Sequence, residues 1–242
     1  MKNNIILVLL LITCCLKMEA QIFLANDTVR NFPVVELGIG GTSGGHYYEP
    51  AQGQFIFNNV AGYNYGLLFR LKANVYKGFS IGTDYRYIKS SGTIDITDDV
   101  IRNFFYVQST GMQIPIILQY TFRTKEKREV VSVFGAYTYN TFHHQTSSDY
   151  FESNQPFYAS AIGAELVNGR RMDWTSYIFG LSKSFDFARS FSATIFFEME
   201  GSSDYFQLNN SFTNKTTMGR ESHSANFRSN SVRIGFLINT KL

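Results

Sequence analysis

Gly111-Met112-Gln113-Ile114-Pro115-Ile116-Ile117-Leu118-Gln119-Tyr120-Thr121-Phe122 reads as an extended strand. Successive side chains of a strand point to opposite faces, so Ile114, Ile116, Leu118, Tyr120 and Phe122 share one apolar face. Gln113, Pro115, Ile117, Gln119 and Thr121 share the other, which is mostly polar. A charged run, Arg123-Thr124-Lys125-Glu126-Lys127-Arg128-Glu129, ends the strand, and a second alternating run, Val130 to Tyr139, begins at once. Strand, tight polar turn and strand make a hairpin.

The same grammar recurs along the chain. Pro33–Gly41, Tyr63–Lys72 and Phe79–Ile88 alternate before the central hairpin, and Trp174–Phe185, Phe191–Glu200 and Val232–Leu242 alternate after it. These eight strands are joined by connections that alternate long and short. The long ones are Thr42–Gly62, Lys89–Gln108, Asn140–Met172 and Gly201–Asn230, and Asn168-Gly169 predicts a small hairpin of its own inside the third. An even strand number with this asymmetry predicts an all-β fold: an eight-stranded antiparallel up-and-down transmembrane β-barrel with long extracellular loops and short periplasmic turns. The expected location is the outer membrane of a cell, crossed many times by strands.

Composition agrees. Aromatic residues make up 16% of the chain and charged residues 17%, against about 25% charged in ordinary soluble proteins. Outward-facing aromatics produce that shift, and Tyr63, Tyr65, Tyr85, Tyr87, Tyr120 and Phe122 fall toward strand ends like an interfacial girdle. A net charge of +3, with its Lys and Arg evenly spread, gives no nucleic-acid footprint. Lys2 followed by the apolar run Ile5 to Ile12 is too short to span a bilayer and reads as a secretory signal, with cleavage after Ala20. Residues 1–20 are therefore assigned to a signal peptide and 21–242 to the barrel domain. Lipoprotein processing at Cys14 or Cys15 is the competing reading of this segment. Cleavage after Ala20 would leave the exported chain without cysteine, so its stability must come from its hydrogen-bond ladder.

Alternation alone leaves open whether the apolar face meets lipid or fills a soluble, lipocalin-like barrel. If it meets lipid, the lumen holds Glu36, Arg70, Lys72, Asp84, Arg86, Gln113, Gln119, Glu198, Glu200 and Arg233. Both signs are present, as burial requires, because an unpaired buried charge costs several kcal/mol. Such a cluster fits a salt-bridged plug, with a narrow or gated solute pore as the alternative. Aromatic residues in the long connections, including Tyr47, Tyr48, Phe104, Phe105, Tyr150 and Phe151, are candidates for contact with other envelope proteins or glycans. Outer-membrane lipid and lipopolysaccharide are the expected surroundings.

Chemistry is scarce. His223-Ser224 are adjacent, which in an extended segment points them apart, so a lipid hydrolase built on them is the weaker reading. His143-His144, with Asp149 and Glu152 nearby, read better as a polar surface than as metal ligands. Gly38-Ile39-Gly40-Gly41 thins a strand wall rather than cradling phosphate. No catalytic residue, cofactor or metal is expected.

The stretch Met112 to Phe122 resembles the apolar-Ile-Pro-apolar strand of the outer-membrane β-barrel family common in Bacteroidetes, often called PorT-like. Val131-Ser132-Val133-Phe134-Gly135-Ala136-Tyr137 is similar to the glycine-containing strand that follows it there, and the signal ending at Ala20-Gln21, Gly180 and Gly235 agree. The resemblance implies an eight-stranded barrel without enzymatic activity, in a family whose founding member serves type IX secretion. Leu242 stands where outer-membrane barrels commonly carry a terminal aromatic.

Overall fold

The structure is a computed structural model that describes residues 35–241, except 51–55, 60, 77, 98–100, 124–128, 154–157, 167–170, 189, 204–205 and 215–219. The signal segment, Leu242 and the Asn168-Gly169 pair lie outside the described residues. The strands, in chain order, are β1 Val35–Pro50, β2 Ile56–Asn59, β3 Ala61–Tyr76, β4 Phe79–Thr97, β5 Ile101–Arg123 and β6 Glu129–Ser153. They continue with β7 Tyr158–Leu166, β8 Arg171–Ala188, β9 Phe191–Ser202, β10 Phe206–Asn214 and β11 Arg220–Lys241.

Eight of these, in the order β1-β3-β4-β5-β6-β8-β9-β11, pair antiparallel with their neighbours, and β1 pairs in turn with β11 to close the barrel. Closure leaves the spanning region without an edge and satisfies every ladder from within, the condition for crossing a bilayer with strands. No described helix is long and apolar enough to cross a membrane.

The two faces are inverted relative to a soluble protein. Leu67, Leu118 and Phe179 on the outside are 62%, 64% and 69% exposed, while Asp84, Arg86 and Glu198 on the inside are 1%, 0% and 0% exposed. A lipocalin-like barrel would carry its apolar face inward, so this distribution decides for lipid outside. Along β5 the alternation has the phase that the sequence predicts: Ile114, Ile116, Leu118 and Phe122 face out, and Gln113, Ile117, Gln119 and Thr121 face in. Pro115 lies inside the strand, and the pairing of β4 with β5 is interrupted there, between Thr83–Ile116 and Arg86–Gln113. Proline has no N–H to give to a ladder.

The short turns are very short. Gly78, with φ of +98°, sits between β3 and β4 in the left-handed region that glycine adopts without strain, and its carbonyl accepts from the Thr121 N–H at 2.8 Å.

The long connections differ from the expected loops. Thr42–Pro50 belongs to β1, Lys89–Thr97 to β4, Ile101–Gln108 to β5, Asn140–Ser153 to β6 and Arg220–Asn230 to β11, so most of what reads as connection is paired strand. Three further strands are added there: β2 pairs with β4, and β10 joins β7 to β11. The reason is physical. Beyond the membrane both faces of a strand meet water, so apolar alternation fades although the ladder continues.

Candidate functional site: the charged lumen

The inner face of β3 and β4 supplies one half of an ion network. Arg70 and Asp84 are direct cross-strand partners, and the guanidinium donates two parallel bonds to the carboxylate, Nε to Oδ1 at 2.7 Å and Nη2 to Oδ2 at 2.8 Å. Arg86, two residues along on the same face of β4, donates to the same carboxylate from Nε at 3.0 Å and from Nη2 at 2.7 Å. Its Nη1 reaches across the lumen to Glu198 Oε1 on β9 at 2.6 Å, and its Nη2 reaches Oε2 at 3.1 Å.

The second half comes from β9 and β11. Glu198 opposes Arg233, whose Nε donates to Oε1 at 2.8 Å, and Arg233 Nη2 lies 2.7 Å from Glu200 Oε2. Gln113 on β5 locks this end: its Nε2 donates to both Glu200 oxygens at 2.9 and 3.1 Å, and its Oε1 accepts from Arg233 Nη1 at 3.1 Å. Ser176 and Ser231 also donate to Glu200, at 2.5 and 3.2 Å, and Asn140 Nδ2 donates to Ser176. Arg70, Arg86 and Arg233 thus alternate with Asp84, Glu198 and Glu200, and the six charges cancel. Every one is at most 9% exposed. Bidentate, charge-assisted geometry of this kind is what offsets the cost of burying ions.

Sequence parity places all ten lumen candidates, but the structure divides them. Seven, namely Arg70, Asp84, Arg86, Gln113, Glu198, Glu200 and Arg233, form the network. Glu36 and Lys72 make a separate ion pair at 2.6 Å on the short-turn side, and Gln119 donates to Thr121 at 3.3 Å. Sequence reasoning missed the apolar cluster beside it, in which Leu68 is the cross-strand partner of Arg86 and Ile178 that of Glu200. Leu68, Ile117, Phe134, Ile178, Phe196 and Leu237 form a buried apolar cluster within the lumen, adjoining the network at Phe196, over whose ring Arg70 stands at 5.4 Å. Phe134 and Phe196 meet edge to face at 6.5 Å, each occupying the space left by a glycine on the neighbouring strand. A Cβ on Gly180 would lie 2.3 Å from Phe134 Cζ, and one on Gly235 would lie 2.0 Å from Phe196 Cζ.

The six aromatic binding candidates lie on strand extensions rather than in open loops. Tyr47 is exposed on β1 opposite Ala61 and Asn230, and Tyr48 opposes Ser229. Phe104 opposes Tyr150, Phe105 opposes Ser148 and Phe151 opposes Asn103 on the β5–β6 ribbon. His223 opposes Asn210 and Ser224 opposes Asn209 on the β10–β11 ribbon. Among the described residues no group of three His, Cys, Asp or Glu side chains is placed to hold a metal ion.

A closed antiparallel eight-stranded barrel with an apolar exterior and a charged interior is an integral outer-membrane β-barrel protein. No family model matches the chain, and no curated protein matches it. Among solved structures it is similar to the outer membrane protein OprG from Pseudomonas aeruginosa, at 10% identity over 87% of this chain and 97% of that one, with a TM-score of 0.49. It is also similar to Neisserial surface protein A, at 9% identity over 85% and 97% with a TM-score of 0.36. A third is Ail, the attachment invasion locus protein of Yersinia pestis, at 12% identity over 85% and 97% with a TM-score of 0.32.

Proposed function

We infer that this chain is a non-enzymatic, non-conducting barrel that acts as a structural or interaction protein, with its extracellular strand extensions as the binding surface. The observation that carries this reading is the filled lumen. Arg86 and Glu198 bridge it from β4 to β9, and the apolar cluster adjoins that bridge within the barrel, so no continuous water path is left. Paired strands that run past the membrane then present a stiff extracellular surface, and aromatic side chains of the kind it carries suit contact with a protein or glycan. The PorT-like resemblance agrees with this and suggests an accessory subunit of an envelope or secretion complex.

A narrow or gated pore is the second reading, favoured by Arg86 and Arg233 each facing two carboxylates, so that pairs could exchange. The interaction reading is tested by crosslinking and co-purification of the tagged protein from native membranes. Deletion of Ser147–Gln155 or Asn209–Arg220 should leave the barrel folded and remove the co-purifying partner. Absence of any partner, or one that survives both deletions, contradicts it.

A further inference from the structure

The outer wall of the barrel is thin along β1. Between Gly41 and Gly45 its lipid-facing side carries only Gly41, Ser43 and Gly45, flanked by Tyr65 and Leu67 of β3 and by Ile234 and Phe236 of β11. The flanking side chains stand proud of this floor and enclose a groove of about 760 Å³ on the membrane face. A smooth apolar wall needs no such trough to be solvated by lipid.

The groove has a polar end. Ser43 is directly opposite Tyr65, and Tyr65 is directly opposite Lys89, so a hydroxyl, a phenol and an ammonium share one row across three strands. At the spacing of paired strands that row spans roughly 10 Å. The next row toward the short turns is Gly41, Leu67 and Tyr87, and the one after it is Ile39, Phe69 and Tyr85. A polar row above an apolar trough is the outline of an amphiphile.

Charge and depth narrow the choice. Lys89 is exposed, and its cross-strand neighbours Tyr65 and Thr110 are uncharged. Glu49, the acid on the same face of β1, lies six residues beyond Ser43, about 20 Å of strand away, and accepts from Asn230 Nδ2 at 3.1 Å. Lys89 is ten residues from Phe79 at the start of β4, a climb of roughly 24 Å on a strand tilted by about 45°. That is the height of the apolar band, so Lys89 stands at the rim where the long strand extensions emerge, the outer leaflet.

The geometry points to a binding site for a phosphate-bearing, acylated glycolipid of the outer leaflet on the outside of β1, with an acyl chain in the groove and a phosphate on Lys89. Ser43 and Tyr65 offer hydroxyls to the carbonyls that link acyl chain to headgroup. A phospholipid of the inner leaflet would carry its phosphate to the opposite rim, beyond reach of Lys89.

The test uses the folded barrel in nanodiscs of phosphatidylcholine and phosphatidylglycerol containing a small fraction of bisphosphorylated lipid A, with lipid retention read by native mass spectrometry. One cation near an anionic headgroup contributes enough for about a fivefold change in retention. Lys89→Gln should lower lipid A retention by that factor and Lys89→Arg should preserve it. Ser43→Phe, which fills the floor, should lower it at least as much, whereas Gly135→Phe, an outward glycine of β6 whose Cβ position has only ordinary contacts, the nearest with the Phe179 ring at 3.7 Å, should not. Dephosphorylated lipid A should bind the native barrel no better than it binds Lys89→Gln. Each variant is first checked for faster migration when unheated, which reports the closed barrel. Equal retention by native, Lys89→Gln and Ser43→Phe barrels overturns the proposal, and so does phosphatidylglycerol displacing lipid A from the native protein.

Discussion

Glu198→Gln is the most informative single change in the lumen. Glu198 accepts from Arg86 twice, at 2.6 and 3.1 Å, and from Arg233 at 2.8 Å, and it is fully buried. Glutamine keeps the volume and removes the charge, leaving Arg70, Arg86 and Arg233 against Asp84 and Glu200, an excess of one buried positive charge. Breaking a buried ion pair from one side costs about 3–5 kcal/mol. Removing Arg86 as well, in Arg86→Met/Glu198→Gln, restores neutrality and leaves two intact pairs, Arg70–Asp84 at 2.7 Å and Arg233–Glu200 at 2.7 Å. The double variant should therefore recover most of the loss and lie within about 1–2 kcal/mol of the native barrel, because apolar replacement of a whole buried pair is often near neutral. Reversible urea unfolding in detergent micelles, followed by tryptophan fluorescence, measures the native barrel, Glu198→Gln, Arg86→Met and the double variant, the four proteins that complete the cycle. Lys183→Ala, at an exposed lysine over the Phe185 ring at 5.6 Å, is the control and should change stability by under about 1 kcal/mol. A Glu198→Gln barrel no less stable than this control, or a double variant worse than the sum of its singles, refutes the reasoning.

Gly235→Leu should destabilise by about 1–3 kcal/mol through overpacking against Phe196, and Phe196→Ala in the same chain should recover part of it; Gly135→Leu on the lipid side should be neutral. On fractionation the protein should start at Gln21, sediment with the outer membrane and migrate faster unheated than boiled, whereas a water-soluble product would contradict the barrel in lipid. No lipid hydrolysis is expected from the purified protein, and hydrolysis lost specifically in His223→Ala would make it an enzyme.

The spanning part of the fold was legible because lipid on one side and a packed lumen on the other impose strict alternation, as in Ile114 to Phe122. Parity also put Arg70, Arg86 and Glu198 on the inner face and implied that they pair with opposite charges, but not which pairs with which. Arg86 and Glu198 are 112 residues apart and meet across the lumen only because β1 closes on β11. The apolar cluster left a trace that was readable in principle: Phe134 and Phe196 break the polar parity of their strands, and Gly180 and Gly235 sit at matching inward positions on the next ones. The extracellular strands left none. Lys89–Thr97 and Ile101–Gln108 show no sustained apolar period of two, and what holds them extended is their ladder to each other and to the flanking strands β2, β3 and β6.

Conductance tests the central account most directly. Purified protein inserted into planar bilayers should show no steady current, because the Arg86–Glu198 bridge and the adjoining apolar cluster of Phe134, Ile178 and Phe196 together fill the lumen. A stable open channel whose ion selectivity changes in Glu198→Gln would show that the network lines a path instead of closing one, and would replace the scaffold with a pore.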